Sequence, residues 1–111
     1  MALYETIPAP EDGADLAVRL DDDSLSPLFR PGDTVYLLRS TELLDGDVGL
    51  FRASEGMVFR QFCADSQGNC YLFAVNRDRR SEDLVIPAKR FRDLVCYGKV
   101  ILPRPLPLPD D

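Results

Sequence analysis

Turn signals recur so closely along this chain that a helix of ordinary length has little room between them. Pro31-Gly32, Asp45-Gly46-Asp47, Glu55-Gly56 and the polar run 65–69 with its Gly68 each punctuate the sequence, and Gly after Pro or an acid favours tight turns. The intervals are short runs of apolar, β-branched and aromatic residues, the composition of strands. In residues 15–20, Leu16, Val18 and Leu20 alternate with Asp15, Ala17 and Arg19, which predicts a half-buried strand. Residues 34–38, 48–52, 57–63, 71–75 and 84–86 read as further strands, the last stopped by Pro87. Residues 94–102 form the final one, where Gly98 marks a bulge or a close approach. The stretch 76–83 reads as a charged loop, and no segment carries helical periodicity. The expected fold class is all-β, a barrel or sandwich of short, mostly antiparallel strands.

Three segments follow. Residues 1–14 contain Pro, Gly and acids and read as a flexible lead-in. Residues 15–102 form the domain, and 111 residues in all are enough for one modest core. Residues 103–111 form a tail in which Pro103, Pro105, Pro107 and Pro109 alternate with Arg or Leu. Such a tail is extended polyproline-II, serving as a linker or an arm, with partner binding as an alternative.

The charge balance, with 13 Lys and Arg against 19 Asp and Glu and a net −6, argues against this domain alone gripping DNA, which needs clustered cations. No apolar run approaches the roughly 20 residues of a membrane span. The start, Met-Ala-Leu-Tyr-Glu, has neither the charged nor the apolar region of a signal peptide. Cys63, Cys70 and Cys96 are an odd count without a CxxC spacing, as expected of reduced thiols in the cytoplasm. No metal and no cofactor is expected. The run Asp21-Asp22-Asp23 reads as a solvated turn, and Asp45 and Asp47 lack the ligand pattern and closing Glu of a calcium loop. Histidine is absent altogether, so a serine nucleophile here needs another base.

One stretch carries a more specific pattern. Asp23-Ser24-Leu25-Ser26-Pro27-Leu28-Phe29-Arg30-Pro31-Gly32-Asp33 places a serine between acids and a proline, then a Pro-Gly turn ahead of an apolar strand. It resembles the nucleophile segment of the LexA-type self-cleaving serine peptidases, the C-terminal domains of LexA and many phage repressors. Their pattern is Gly-Asp-Ser-Met-x-Pro, a short apolar turn and Gly-Asp. On that resemblance Ser24 takes the nucleophile position, with Asp22, Asp23, Leu25 and Pro27 as the surrounding cleft. Asp22 replaces the family glycine, which bears on the backbone of an oxyanion site. Leu25 replaces the methionine.

The resemblance implies a serine-lysine dyad, with a buried, neutral lysine as the base. That lysine stands in a Val-Lys-Arg-Leu-like strand, matched here by Met57-Val58-Phe59-Arg60-Gln61-Phe62-Cys63. One register puts the lysine position at Arg60 and the other at Phe59. Neither is a lysine, and arginine does not give up its proton. Lys89 and Lys99 are the chain's two lysines. Lys89 lies in a loop, and Lys99 falls in a Gly-Lys-Val strand that has no catalytic role in the family. Alternation points Arg60 inward with Val58 and Phe62. A buried guanidinium needs a carboxylate, and Asp22 and Asp23 are the nearest by chain order; the other reading leaves Arg60 solvated at the strand end.

What the resemblance implies is a regulatory domain of a LexA- or phage-repressor-like transcription regulator, in the orbit of the SOS response. Its catalysis is degenerate, a pseudo-enzyme. It is expected to be a homodimer, with Leu94, Val100 and Ile101 as contact candidates, or else these belong to ordinary barrel core. DNA is reached only through a helix-turn-helix domain outside these residues, and a repressor or linker peptide is a further partner. The linker cut in the family typically breaks at Ala-Gly, and this chain has only the reverse, Gly13-Ala14. The alternatives are an active peptidase with an unrecognised lysine, and a stand-alone pseudo-peptidase that holds an extended peptide near Ser24 without cutting it.

Overall fold

The structure, a computed structural model, describes residues 5–7, 14–39, 42–54 and 56–109. Among these, eight strands form one sheet: β1 (Glu5–Ile7), β2 (Leu16–Arg19), β3 (Thr34–Leu38), β4 (Val48–Ala53), β5 (Gly56–Ala64), β6 (Cys70–Phe73), β7 (Leu84–Ile86) and β8 (Cys96–Val100). Their order is β1-β2-β3-β8-β4-β5-β6-β7, and every pairing is antiparallel. The all-β expectation holds. β1 lies within the stretch read as a lead-in and pairs Glu5–Ile7 against β2.

The turns fall where glycine permits them. At Pro31-Gly32, Asp33 N–H bonds to the Arg30 carbonyl at 3.0 Å. Gly32 has φ of +94°, a conformation open mainly to glycine. This turn and the 24–29 segment before it join β2 to β3.

Two short 3-10 helices interrupt the strands. The first, η1 (Arg77–Glu82), occupies the stretch read as a charged loop, and the second, η2 (Ala88–Asp93), follows β7. Asn76 starts η1 by accepting from Asp78 N–H, the ordinary work of an N-cap. Consequently β6 ends at Phe73, short of residue 75. Ala74 N–H turns instead to Asp83 Oδ1 at 2.7 Å.

β8 lies between β3 and β4, pairing Val100 with Leu37 and Gly98 with Leu50. The register slips between Leu50 and Phe51, opposite Gly98 and Cys96, so both readings of Gly98 apply. A methyl group on Gly98 would lie 3.1 Å from both Leu37 Cβ and the Leu38 carbonyl. Glycine is what lets β3 approach.

The buried side chains form two cores. One core holds Val18, Leu20, Leu25, Val35, Leu37, Leu50 and Phe59, with Leu28 and Phe29 packed on it. The other holds Phe51, Val58, Phe62, Cys70 and Leu72. β5 feeds both, so residues 58–62 are buried without a break. A strand hidden on both faces loses its alternation of exposure. Side-chain direction still alternates, and it separates Phe59 from Val58 and Phe62.

Candidate functional site

Ser24 opens a tight turn fixed almost atom by atom. Its N–H donates to Asp22 Oδ1 at 3.0 Å. Ser26 N–H returns to the Asp23 carbonyl at 3.0 Å, and Phe29 N–H to the Leu25 carbonyl at 3.1 Å. The Ser26–Pro27 peptide is cis. Leu25 is fully buried and anchors the turn in the first core, while Pro27 stays exposed. The Ser24 side chain is buried, and its Oγ has no hydrogen-bond partner. An unpaired buried hydroxyl is uncommon and costly.

Two residues that the sequence reading did not single out hold this turn from outside. Asn76 Nδ2 donates to the Asp23 carbonyl at 3.0 Å, and Arg79 forms an ion pair with the Asp23 carboxylate. That carboxylate keeps the Arg79 guanidinium firmly charged, its pKa raised first by their hydrogen bond. An Asn placed just before Arg77-Asp78 is a helix-start signature, and it was the available signal for η1. An open hollow of about 430 Å³ lies beside the turn, lined by Asp23, Ser26, Pro27, Asn76, Arg77 and others.

Arg60 points inward and is 5 % exposed. Its Nη1 donates to the Phe59 carbonyl at 2.8 Å, its Nη2 lies 3.6 Å from Glu82 Oε1, and its Nε has no partner. The acid that meets Arg60 is therefore Glu82, while Asp23 is taken by Arg79. Glu82 also lies 3.6 Å from Arg79. The result is a relay of charges, Asp23, Arg79, Glu82, Arg60, which ties the Ser24 turn to β5 through η1. Chain order points to Asp22 or Asp23 because the charged stretch 76–83 reads as loop in sequence, whereas η1 brings Glu82 and Arg79 in between.

The two candidate positions for the lysine part company on β5. Phe59 is fully buried and shares its core with Leu25, the residue after Ser24. Arg60 projects to the opposite side, with Val58 and Phe62. Lys99 Nζ is 3.1 Å from Asp47 Oδ2, and Lys89 is exposed on η2.

The contact candidates around β8 are placed as follows. Leu94 is half-buried, Val100 is 7 % exposed within the first core, and Ile101 is 42 % exposed. The three cysteines are unpaired. Burial raises the Cys70 thiol to about 11, with a smaller push from Cys63. Among the described residues, no group of three or more His, Cys, Asp or Glu is arranged to hold a metal ion, and no helix is long and apolar enough to cross a membrane.

The fold is an antiparallel β-domain with a buried serine on a proline-containing turn, whose next residue, Leu25, shares a core with Phe59 of β5. Residues 3–101 match the Peptidase S24-like family. The chain belongs to that family, the LexA and phage-repressor type of C-terminal domain. No curated relative matches it significantly.

Proposed function

We propose that this domain is the regulatory part of a repressor-type transcription regulator and does not cut its own chain. The observation that carries the reading is the β5 residue that shares a core with Leu25, the neighbour of Ser24: Phe59, fully buried. A phenyl ring accepts no proton, so Ser24 has no base there. Arg60 is an arginine, which cannot serve as a base, and is engaged with Glu82. The Asp22 carboxylate accepts the Ser24 N–H. A negative charge on that donor opposes the oxyanion that acyl transfer has to stabilise.

Without cleavage, the family's remaining work is to join two chains. A pair of such domains sets two DNA-binding units, outside these residues, on the halves of a palindromic site. The net charge of −6 suits a domain that pairs without touching DNA itself.

The test is a fusion of the chain behind a linker containing Ala-Gly, incubated at neutral and alkaline pH and followed by mass spectrometry. The linker is expected to stay intact. Cleavage that disappears in Ser24→Ala would overturn the reading. The double variant Asp22→Gly, Phe59→Lys asks the converse question, with circular dichroism to check its fold: Ser24-dependent cutting in that variant alone supports a base lost at position 59.

A further inference from the structure

We propose that the groove beside β7 is a docking site for an extended, apolar segment of a partner protein that carries carboxylates. The groove, of about 220 Å³, is lined by Arg52, Val85, Ile86, Pro87, Arg90 and Leu94.

Three observations meet there. β7 is the outermost strand on its side of the sheet, and an edge strand is a template for an added one. Part of the lining is apolar: Ile86 and Leu94 pack onto the second core, and Val85, which also lines the groove, is 61 % exposed. Phe91, on the same short helix as Arg90, is 43 % exposed. Scattered apolar side chains need no explanation, but Val85, Ile86 and Leu94 line one groove beside an outermost strand.

Charge selects the occupant. The chain carries −6 overall, yet this groove is rimmed by Arg52 and Arg90, and Lys89 and Arg92 stand on the same helix as Arg90. Arg52 is exposed and meets no carboxylate at ion-pair distance among the described residues. The one acid in the lining, Asp93, lies 3.9 Å from Arg90, with both side chains about 70 % exposed. Such a pair is weak and readily regrouped. A segment presenting carboxylates to both arginines complements that rim.

The main chain limits what β7 offers. The strand is three residues long and Pro87 ends it, so an added segment pairs over a short stretch. Side chains in the groove and the two arginines supply the rest of the recognition.

The test uses the intact chain and a fluorescein-labelled peptide, acetyl-Asp-Ile-Val-Glu-Val-Asp, read by anisotropy and by nitrogen-15 amide shifts. Saturable binding is expected, with shifts at Val85, Arg90 and Leu94. Arg52→Glu combined with Arg90→Glu should weaken it about tenfold or more, since both positions are exposed and the change reverses the rim charge. Raising the salt to about 0.3 M should weaken it as well. Val85→Glu is a second variant that leaves both arginines in place and should also lose affinity. The proposal is overturned by any of three results: equal binding of a peptide with lysine in place of its acids, shifts confined to the Ser24 side, or no saturable binding of the peptide, whether or not anionic vesicles or a second copy engage the same residues.

Discussion

Asp65 shows how one carboxylate can organise a hairpin. It accepts from the N–H groups of Gln67 at 2.9 Å and Asn69 at 3.0 Å, from Asn69 Nδ2 at 3.1 Å and from the Tyr71 hydroxyl at 3.0 Å. These bonds favour the charged form, the Asn69 side chain foremost, and hold the acid below its ordinary range. A lowered folded-state pKa adds stability above the unfolded value of about 3.9 and loses it as the pH falls through the folded one. Asp65→Asn should therefore lower the melting temperature at pH 7. The difference should shrink steadily below pH ~4, where the native acid also becomes neutral. Thermal melts of both chains across that range check it, and a gap independent of pH would contradict it. Residue by residue, the sequence shows direction better than partnership. Arg60 is readable as inward because Val58 and Phe62 flank it. Its Glu82 is not, because that acid is 22 positions away on a helix that looks like loop.

The proline-rich tail makes the same point for an element. Its alternating prolines announce an extended segment with few donors. They do not announce where it lies. Gln61, 2 % exposed on β5, donates from Nε2 to the Leu106 carbonyl at 2.8 Å and the Pro107 carbonyl at 3.2 Å. The same nitrogen is 3.3 Å from the Gly46 carbonyl, and Leu106 packs on the first core. The tail is thus an arm folded back on its own domain. Gln61→Ala should cost about 0.5–1.5 kcal/mol, the net range for a hydrogen bond whose partners can turn to water. It should also move the Leu106 methyl signals toward their positions in an unfolded chain. A tail unaffected by the change would mean that Leu106 alone holds it. β2 to β8 are legible because turn chemistry is local; β1, η1, η2 and the docking of the tail depend on groups far along the chain.

For the molecule as a whole, the sheet order constrains how two copies can meet. β8 has a neighbour on each side, so its backbone cannot pair across a dimer. Val100 faces the core. A dimer through this region has to use side chains on a face, Ile101 among them, since Leu94 lines the groove beside β7. Sedimentation over a concentration series should show a reversible dimer, weakened about tenfold or more by Ile101→Asp, which places a charge in an apolar contact. A monomer at all concentrations would remove the pairing role. It would leave the groove at β7 as the surface through which the domain acts.

The place of β8 also sets an order on how the chain comes to be whole. β3 and β4 follow one another in sequence but are not neighbours; β8 closes the gap between them. As the chain leaves the ribosome, β1 to β3 can associate, and so can β4 to β7. The two groups share no strand pairing until residues 96–100 have emerged. Non-local pairing of this kind is slow and leaves strand edges open while it waits. A nascent chain stalled before Cys96 is then two half-sheets looking for a seam. Quality-control proteases and chaperones would meet it in that form, and the last strand made is the one that ends their access.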